Sequence, residues 1–344
     1  MSVELEYVSK NQTSTYVATY SFSDNVEIVG SKTISMGATS TNYDIVTFGD
    51  WPQTIKDNSV SIDETQSITR GANTYYVGSD GNYYAKVIEN AYEPGFTYSN
   101  GAIVSKIAAN STKYFKVEPI KWRILTKNYN NTGKALLLAE NILTSNIPFY
   151  EGSANRTIDN QTIYANNYKH SQIRAFLNGI AYQGANGKVT KYVNKGFLQT
   201  AFNETAISKI VNTAVDNSVS SITGTGEEEQ QENIYVCKNT NDKIFLLAQK
   251  EVTTLEYGFG DYTQNGNGNV RIKLLTDYAK ANHAYQISSG AGYWWLRSPS
   301  IISANNIALS TLARRVSYDA NANDKNTVYN TTDGIAPALV ISID

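Results

Sequence analysis

Apolar and polar positions along this chain recur mostly with a period near two, the mark of strands with one face buried. Val3-Glu4-Leu5-Glu6-Tyr7-Val8 alternates loosely, and Tyr16 to Phe22 is rich in β-branched and aromatic residues, so residues 3–30 read as strands. The polar stretch from Gly30 to Asn42 reads as a link to the next strand. Asp44-Ile45-Val46-Thr47-Phe48 is a strand stopped by Gly49-Asp50-Trp51-Pro52. Asn73 to Val77 and Asn82 to Val87 flank Gly78-Ser79-Asp80-Gly81, a hairpin signal because Asp-Gly tolerates positive φ. Lys113-Tyr114-Phe115-Lys116-Val117 and Ile120 to Leu125 are expected to be two strands separated at Glu118-Pro119. Ala135-Leu136-Leu137-Leu138-Ala139, Ile244-Phe245-Leu246-Leu247 and Ile335 to Ile343 are apolar runs that suit strands buried on both faces.

The spacing changes in the middle of the chain. Ser171 can cap a helix that carries Ile173, Phe176 and Leu177 on one stripe and ends at Asn178-Gly179. A second helix is expected over Phe197 to Phe202, and a third after Asn203, with Ala206, Ile207 and Ile210 turned inward. Many short strands with a few modest helices and no repeat give an α+β class of mostly antiparallel strands with long inserts.

Composition narrows the function. The chain has 344 residues and a formal net charge of −2, which argues against a nucleic-acid binder, since those usually carry a basic stripe. No apolar run reaches the ~18 residues a membrane-spanning helix needs. A single cysteine, Cys237, excludes a disulfide framework and a multi-cysteine zinc site. The two histidines, His170 and His283, lie far apart in sequence and leave little for histidine-based catalysis. Tyr is abundant among many Asn, Ser and Thr, a mixture that suits strands, turns and recognition surfaces. Neither a cofactor nor a bound metal is expected.

Candidate chemistry is sparse. Gly266-Asn267-Gly268-Asn269 lacks the third glycine, the preceding strand and the lysine of a phosphate-binding loop, and reads as a loop. The acidic run Glu227-Glu228-Glu229 lies in a loop spanning residues 218–234 and has no metal-ligand spacing. Cys237 has no activating neighbour in sequence, and His170 precedes a helix, which suits a capping or surface role. Glu118 and Glu140 could pair as acid and base, but nothing fixes their separation. Trp294 and Trp295 are adjacent within a strand, so they point to opposite faces and both faces must be covered. Arg297, two residues beyond Trp295, is expected on that ring's face, holding a carboxylate or loop carbonyls that pin the next segment.

The segment from Ser300 to Asp333 has an unusual composition. It contains no Glu, Gln, Trp, Met, Phe or Pro and one lysine, Lys325. Every other residue type in it has a codon ending in a pyrimidine, and an asparagine codon randomised at its two adenines reaches that set but not Glu, Gln, Lys, Trp or Met. An ordinary polar loop-and-strand region could carry the same residues, so both readings stay open.

Several blocks carry a family resemblance. Tyr293-Trp294-Trp295-Leu296-Arg297-Ser298-Pro299, Ala313-Arg314-Arg315-Val316 and Gly334-Ile335-Ala336-Pro337-Ala338-Leu339-Val340 form a C-terminal signature. Phe48-Gly49-Asp50-Trp51-Pro52-Gln53, Val117 to Leu125, Leu137 to Asn141, Ser171 to Asn178 and Lys243 to Leu247 precede it in order. Together they resemble bacterial C-type-lectin-like proteins of the formylglycine-generating-enzyme type, in particular the variable target proteins of diversity-generating retroelements.

The resemblance implies a C-type lectin fold over residues 45–344, an N-terminal β-rich extension over 1–44, and a variable region at about 300–333. It implies a macromolecular ligand, a protein rather than a nucleic acid. It also implies display at the cell surface as an outer-membrane lipoprotein; the chain begins Met1-Ser2-Val3-Glu4 without a leader, so the anchor rests on the resemblance alone. Expected ligand-binding positions are Ile301, Ile302, Asn305, Asn306, Ile307, Leu309, Thr311, Leu312, Arg315, Ser317, Tyr318, Asn321, Asn323, Asp324, Asn326, Tyr329 and Asn330. Trp294, Trp295, Leu296, Arg297, Ala313, Arg314, Val316 and Gly334 are expected to be scaffold. Two other readings stand beside this one. A formylglycine-generating-type oxidase needs paired cysteines or a metal on soft ligands, and a calcium-dependent carbohydrate lectin needs a Glu-Pro-Asn-like motif where this chain has Glu118-Pro119-Ile120.

Overall fold

An antiparallel sheet whose central strands are apolar on both faces must be covered on both faces, and that requirement organises this molecule. In the computed structural model the strands run in the order β14 (Ile244–Phe245), β18 (Ala338–Ser342), β7 (Lys134–Ala139), β6 (Thr112–Thr126), β5 (Tyr83–Ile88), β4 (Asn73–Gly78) and β3 (Ile62–Arg70). β2 (Thr39–Ile55) pairs with β6, and β1 (Glu27–Met36) pairs with β2. The structure describes residues 27–36, 39–92, 96–104, 111–222, 233–260, 270–300 and 308–342, with side chains from Tyr43 onward.

The pleat sorts side chains into two cores. Leu137, Ala139, Leu339, Ile341, Ile244, Leu246 and Trp122 face one cluster; Leu136, Leu138, Ala338, Val340, Phe245 and Leu247 face the other. Helices at 172–178 and 197–201 cover the first face with Ile173, Leu177, Phe197 and Leu198. The first helix begins as its sequence requires, since the Ser171 Oγ accepts from the Arg174 amide at 3.1 Å. It ends at Gly179 in the left-handed region, φ 65°. Asn178 then ties the helix end to β14, accepting from the Ile244 amide at 3.1 Å and donating to the Ile244 carbonyl at 2.7 Å.

Short antiparallel ribbons decorate this frame: β8 (Arg156–Ile158) with β9 (Gln161–Ile163), β10 (Tyr182–Gly184) with β11 (Gly187–Val189), and β12 (Thr213–Val215) with β13 (Thr240–Asp242). A separate sheet holds β15 (Trp294–Pro299), β16 (Leu312–Val316) and β17 (Asp324–Thr327). The α+β class with mostly antiparallel strands therefore holds.

Several expectations are corrected. The stretch from Gly30 to Asn42 is not a linker: β1 and β2 pair from Glu27↔Thr47 to Met36↔Thr39. β2 also runs unbroken through residue 44. The two strands expected on either side of Glu118-Pro119 are one, β6. Pro119 lies opposite Asp50 where the β2–β6 register shifts, and a bulge tolerates the missing N–H. Ala206 and Ile207 are only half-buried, whereas Ile210 is buried. The hairpin across Asp80-Gly81 forms as its turn residues predict, with Gly81 at φ 77°. The strands expected within residues 3–26 lie outside the described residues.

Candidate functional site

The C-terminal sheet joins the two cores through adjacent tryptophans. Trp295 packs in the helix-covered cluster and Trp294 in the other, so opposite faces of β15 are both filled. Trp294 Nε1 donates to the Arg271 carbonyl at 3.0 Å, and the Trp295 amide donates to the Gly334 carbonyl at 3.0 Å. A Cβ at Gly334 would stand 2.2 Å from Ile142 Cγ2, so the buried Ile142 side chain leaves room only for glycine there. Leu296, Ala313, Arg314 and Val316 are all buried.

The Arg297 guanidinium lies 5.8 Å from the Phe245 ring. It holds Glu251 and donates to the Leu246 carbonyl at 2.7 Å and twice to the Asp216 carbonyl, at 3.2 and 3.1 Å. One buried arginine thus fastens three chain segments to β15.

One end of this sheet, where β15 and β17 begin and β16 finishes, carries aromatic and charged groups. Tyr293 stacks beneath Arg315 at 3.7 Å and touches Tyr318 edge-on, with ring centroids 5.3 Å apart. Tyr285 extends the row at 5.2 Å from Tyr293, and Tyr92 lies 6.0 Å further on. Arg315 donates to Asp324 at 2.9 Å and to Asp333 at 2.8 Å, and Asn326 donates to the second Asp333 oxygen at 3.1 Å. Burial pushes the Asp333 carboxyl above its usual range, against the pull of Arg315. Burial also pushes the Tyr293 hydroxyl up to about 12, with Arg315 opposing. Burial works against the Arg315 charge, but Asp333 and Asp324 hold its pKa above the ordinary value.

The expected ligand-binding positions divide into groups. Ile301, Ile302, Asn305, Asn306 and Ile307 lie outside the described residues. Leu309, Arg315, Tyr318, Asn321, Asn323, Asp324, Asn326 and Asn330 are half-buried, and Tyr329 is exposed. Thr311, Leu312 and Ser317 are buried, contrary to expectation, as are the segment ends Ser300 and Asp333. Each of the three has a structural reason. Thr311 Oγ1 donates to the Ala308 carbonyl at 2.6 Å, closing a helical turn. Leu312 sits in the β16–β17 ladder opposite Thr327, and its carbonyl accepts from Asn166 at 3.0 Å. Ser317 Oγ accepts from the Asn321 amide at 2.9 Å and donates to Asp319.

Many of the asparagines also serve the backbone. Asn321 Oδ1 accepts from the Asn323 amide at 2.8 Å, and Asn330 Oδ1 accepts from the amides of Thr332 and Asp333, both at 2.9 Å. These are Asx turns, which fix the loop through the residue's own neighbours. Arg315 also serves the frame, because it neutralises a buried carboxylate. The reading from sequence missed Tyr92, Tyr285 and Tyr293; the abundance of tyrosine was the available signal, but it does not say which rings meet.

The other candidate chemistry is engaged structurally. Glu140 receives Arg123 Nε and a terminal nitrogen, each at 2.9 Å, and Glu118 accepts from the Thr54 amide at 3.1 Å and hydroxyl at 2.6 Å. Burial raises the Cys237 thiol pKa, which disfavours the thiolate. Burial lowers the His170 pKa to about 4, helped by nearby Lys169, Arg156 and Arg174. Among the described residues, no group of three or more His, Cys, Asp or Glu side chains is placed to hold a metal ion. The glycine-rich segment 266–269 and the acidic run 227–229 lie outside the described residues. Among the described residues no helix is long and apolar enough to cross a membrane.

Residues 132–343 match the family model described as Domain of unknown function (DUF6273). The chain belongs to that family, whose matched region runs from the turn before β7 to the end of β18 and so contains the whole C-terminal sheet. Neither the curated proteins nor the solved structures gave a match.

Proposed function

We propose that this protein is a ligand-binding protein without catalytic activity, and that its recognition surface lies on the half-buried and exposed side chains around the β15–β17 sheet. The observation that carries the reading is the division of labour within one sheet. Trp294, Trp295, Leu296 and Val316 are buried, while Tyr293 and Tyr318 are half-buried at one end of the sheet and Tyr329, past the other end of β17, is exposed. Rigid aromatic rings set among small polar residues give contact area at low entropic cost, which suits a protein ligand.

The finer reading rests on the sequence resemblance. The scaffold is of the C-type lectin type, and the chain is a diversified target protein similar to the treponemal variable protein TvpA, anchored by lipid at the cell surface. Positions free to vary are then Leu309, Tyr318, Asn323 and Tyr329 together with the 301–307 segment, whereas Thr311, Leu312, Arg315 and Ser317 belong to the frame. The codon set of residues 300–333 supports this independently of any fold argument. Sequencing the neighbouring DNA tests it. The expected result is a near-copy of the codons for Ser300 to Asp333 that differs at adenines and lies beside a reverse transcriptase gene. Flanking DNA with neither element overturns the diversified reading.

A further inference from the structure

Four arginines of this protein, Arg123, Arg174, Arg297 and Arg315, hold carboxylates, and Arg156 is arranged differently. Arg123 spends one terminal nitrogen on a main-chain carbonyl, Val270, at 2.8 Å. Its Nε and other terminal nitrogen form the side-on fork that grips both oxygens of Glu140. Arg174, Arg297 and Arg315 likewise hold carboxylates, those of Asp242, Glu251, and Asp324 with Asp333.

Arg156, at the start of β8, repeats the first half of the arrangement. One terminal nitrogen donates to the carbonyls of His170 and Gln183, and the guanidinium lies over the Tyr150 ring at 3.8 Å. Among the described residues, Nε and the second terminal nitrogen have no acceptor. These are the same two positions that hold Glu140 on Arg123. The residue is only 8% exposed, and among the described residues no carboxylate lies within 4.0 Å of it. Burying two unpaired donors of a cation is unfavourable unless something accepts from them.

Arg156 also lines a cavity of about 290 Å³, with Tyr150, Gly152, Ser153, Ala154, Asn155 and Gly184 among its walls. Burial lowers the pKa of the guanidinium, and neighbouring Tyr150 and Glu151 pull the other way. Glu151 is itself engaged, accepting from the Ala185 amide at 3.0 Å.

We infer that this cavity is a carboxylate-binding site, in which the Nε side of Arg156 receives the two oxygens of a ligand's carboxylate. Tyr150 holds the guanidinium plane, and the His170 and Gln183 carbonyls fix its rotation. The two donors are covered from water by their surroundings, so an entering carboxylate displaces part of the exposed 153–155 segment. The site is separate from the proposed recognition face and does not depend on that reading, although it adjoins it: the Tyr150 amide donates to the Val328 carbonyl at 2.9 Å, just beyond β17.

The test is a titration of the full chain with sodium acetate against sodium chloride at equal ionic strength, tracking the arginine Nε–H signals by nitrogen-15 NMR. The expected result is a saturable downfield shift of the Arg156 Nε–H with acetate, absent with chloride. Arg156→Lys, which keeps the charge but loses both the fork and its Nε–H signal, is read at the backbone amides of Gly152 and Gly184, whose acetate response should weaken at least about tenfold relative to the parent. A flat response of the wild-type chain, or the same response to chloride, overturns the proposal whether or not the variant folds. A short oligoglutamate peptide at matched carboxylate concentration separates the sources: a stronger response than to acetate assigns a protein side chain, and a weaker one assigns a small acid.

Discussion

β17 and β18 are short strands near the chain end, built on opposite principles. β18 reads Ala338-Leu339-Val340-Ile341-Ser342, and its four apolar side chains are buried, alternately in the two cores. β17 reads Asp324-Lys325-Asn326-Thr327, and all its residues are half-buried. In β18 volume and apolarity decide which residue fits. In β17 the residue is fixed only by the hydrogen bonds and charges it satisfies, such as Asn326 and Arg315 on Asp333. A position of the second kind that has no such partner is free to change, and Tyr329, just past β17, is exposed. β18 belongs to the main sheet and β17 to the separate C-terminal sheet, so the proposed recognition surface draws on strands of the second kind.

The sharpest way to break the comparison is to cut into the frame. Trp295→Ala should destabilise the protein by about 3–5 kcal/mol, measured by denaturant unfolding, because it empties a fully buried site. Arg315→Met tests whether a face residue can act as frame: it strands the buried Asp333 carboxylate and should cost about 3 kcal/mol or more. Asn330→Ala removes the acceptor for two turn amides and should cost about 1 kcal/mol in the same assay.

A smaller effect concerns pH. Burial holds His170 near 4, below its ordinary value, so the unfolded chain takes up a proton that the folded chain resists. Its contribution is therefore present above about pH 6.5 and lost as pH falls towards 4. Thermal melts across that window should show stability declining with acid. His170→Asn should flatten the decline, and an unchanged slope in the variant contradicts the assignment.

The sequence was legible where apolar identity decides structure. β7, the helix capped by Ser171 and the double tryptophan were all readable, because periodicity, a capping hydroxyl and a terminal glycine are local signals. The continuity of β6 through Pro119 was not, since it depends on a register shift in a partner strand. The β1–β2 hairpin was hidden in polar sequence that carries no burial signal. Within the candidate site, the frame tryptophans were legible from their pattern. The Arg315–Asp333 pair and the Tyr92–Tyr285–Tyr293–Tyr318 row were not, because they join residues that only the tertiary fold brings together.

The central claim is that the half-buried and exposed side chains around the β15–β17 sheet contribute recognition surface and little stability. The most direct measurement is the unfolding free energy of the triple variant Leu309→Ala, Tyr318→Ala, Tyr329→Ala. Its three sites are half-buried or exposed. Surface changes of this kind cost about 0.5 kcal/mol each, so the triple variant should stay within about 2 kcal/mol of the parent and unfold in one cooperative transition. Loss of cooperative unfolding, or a cost matching that of Trp295→Ala, would show that these side chains hold the fold and contradict the account.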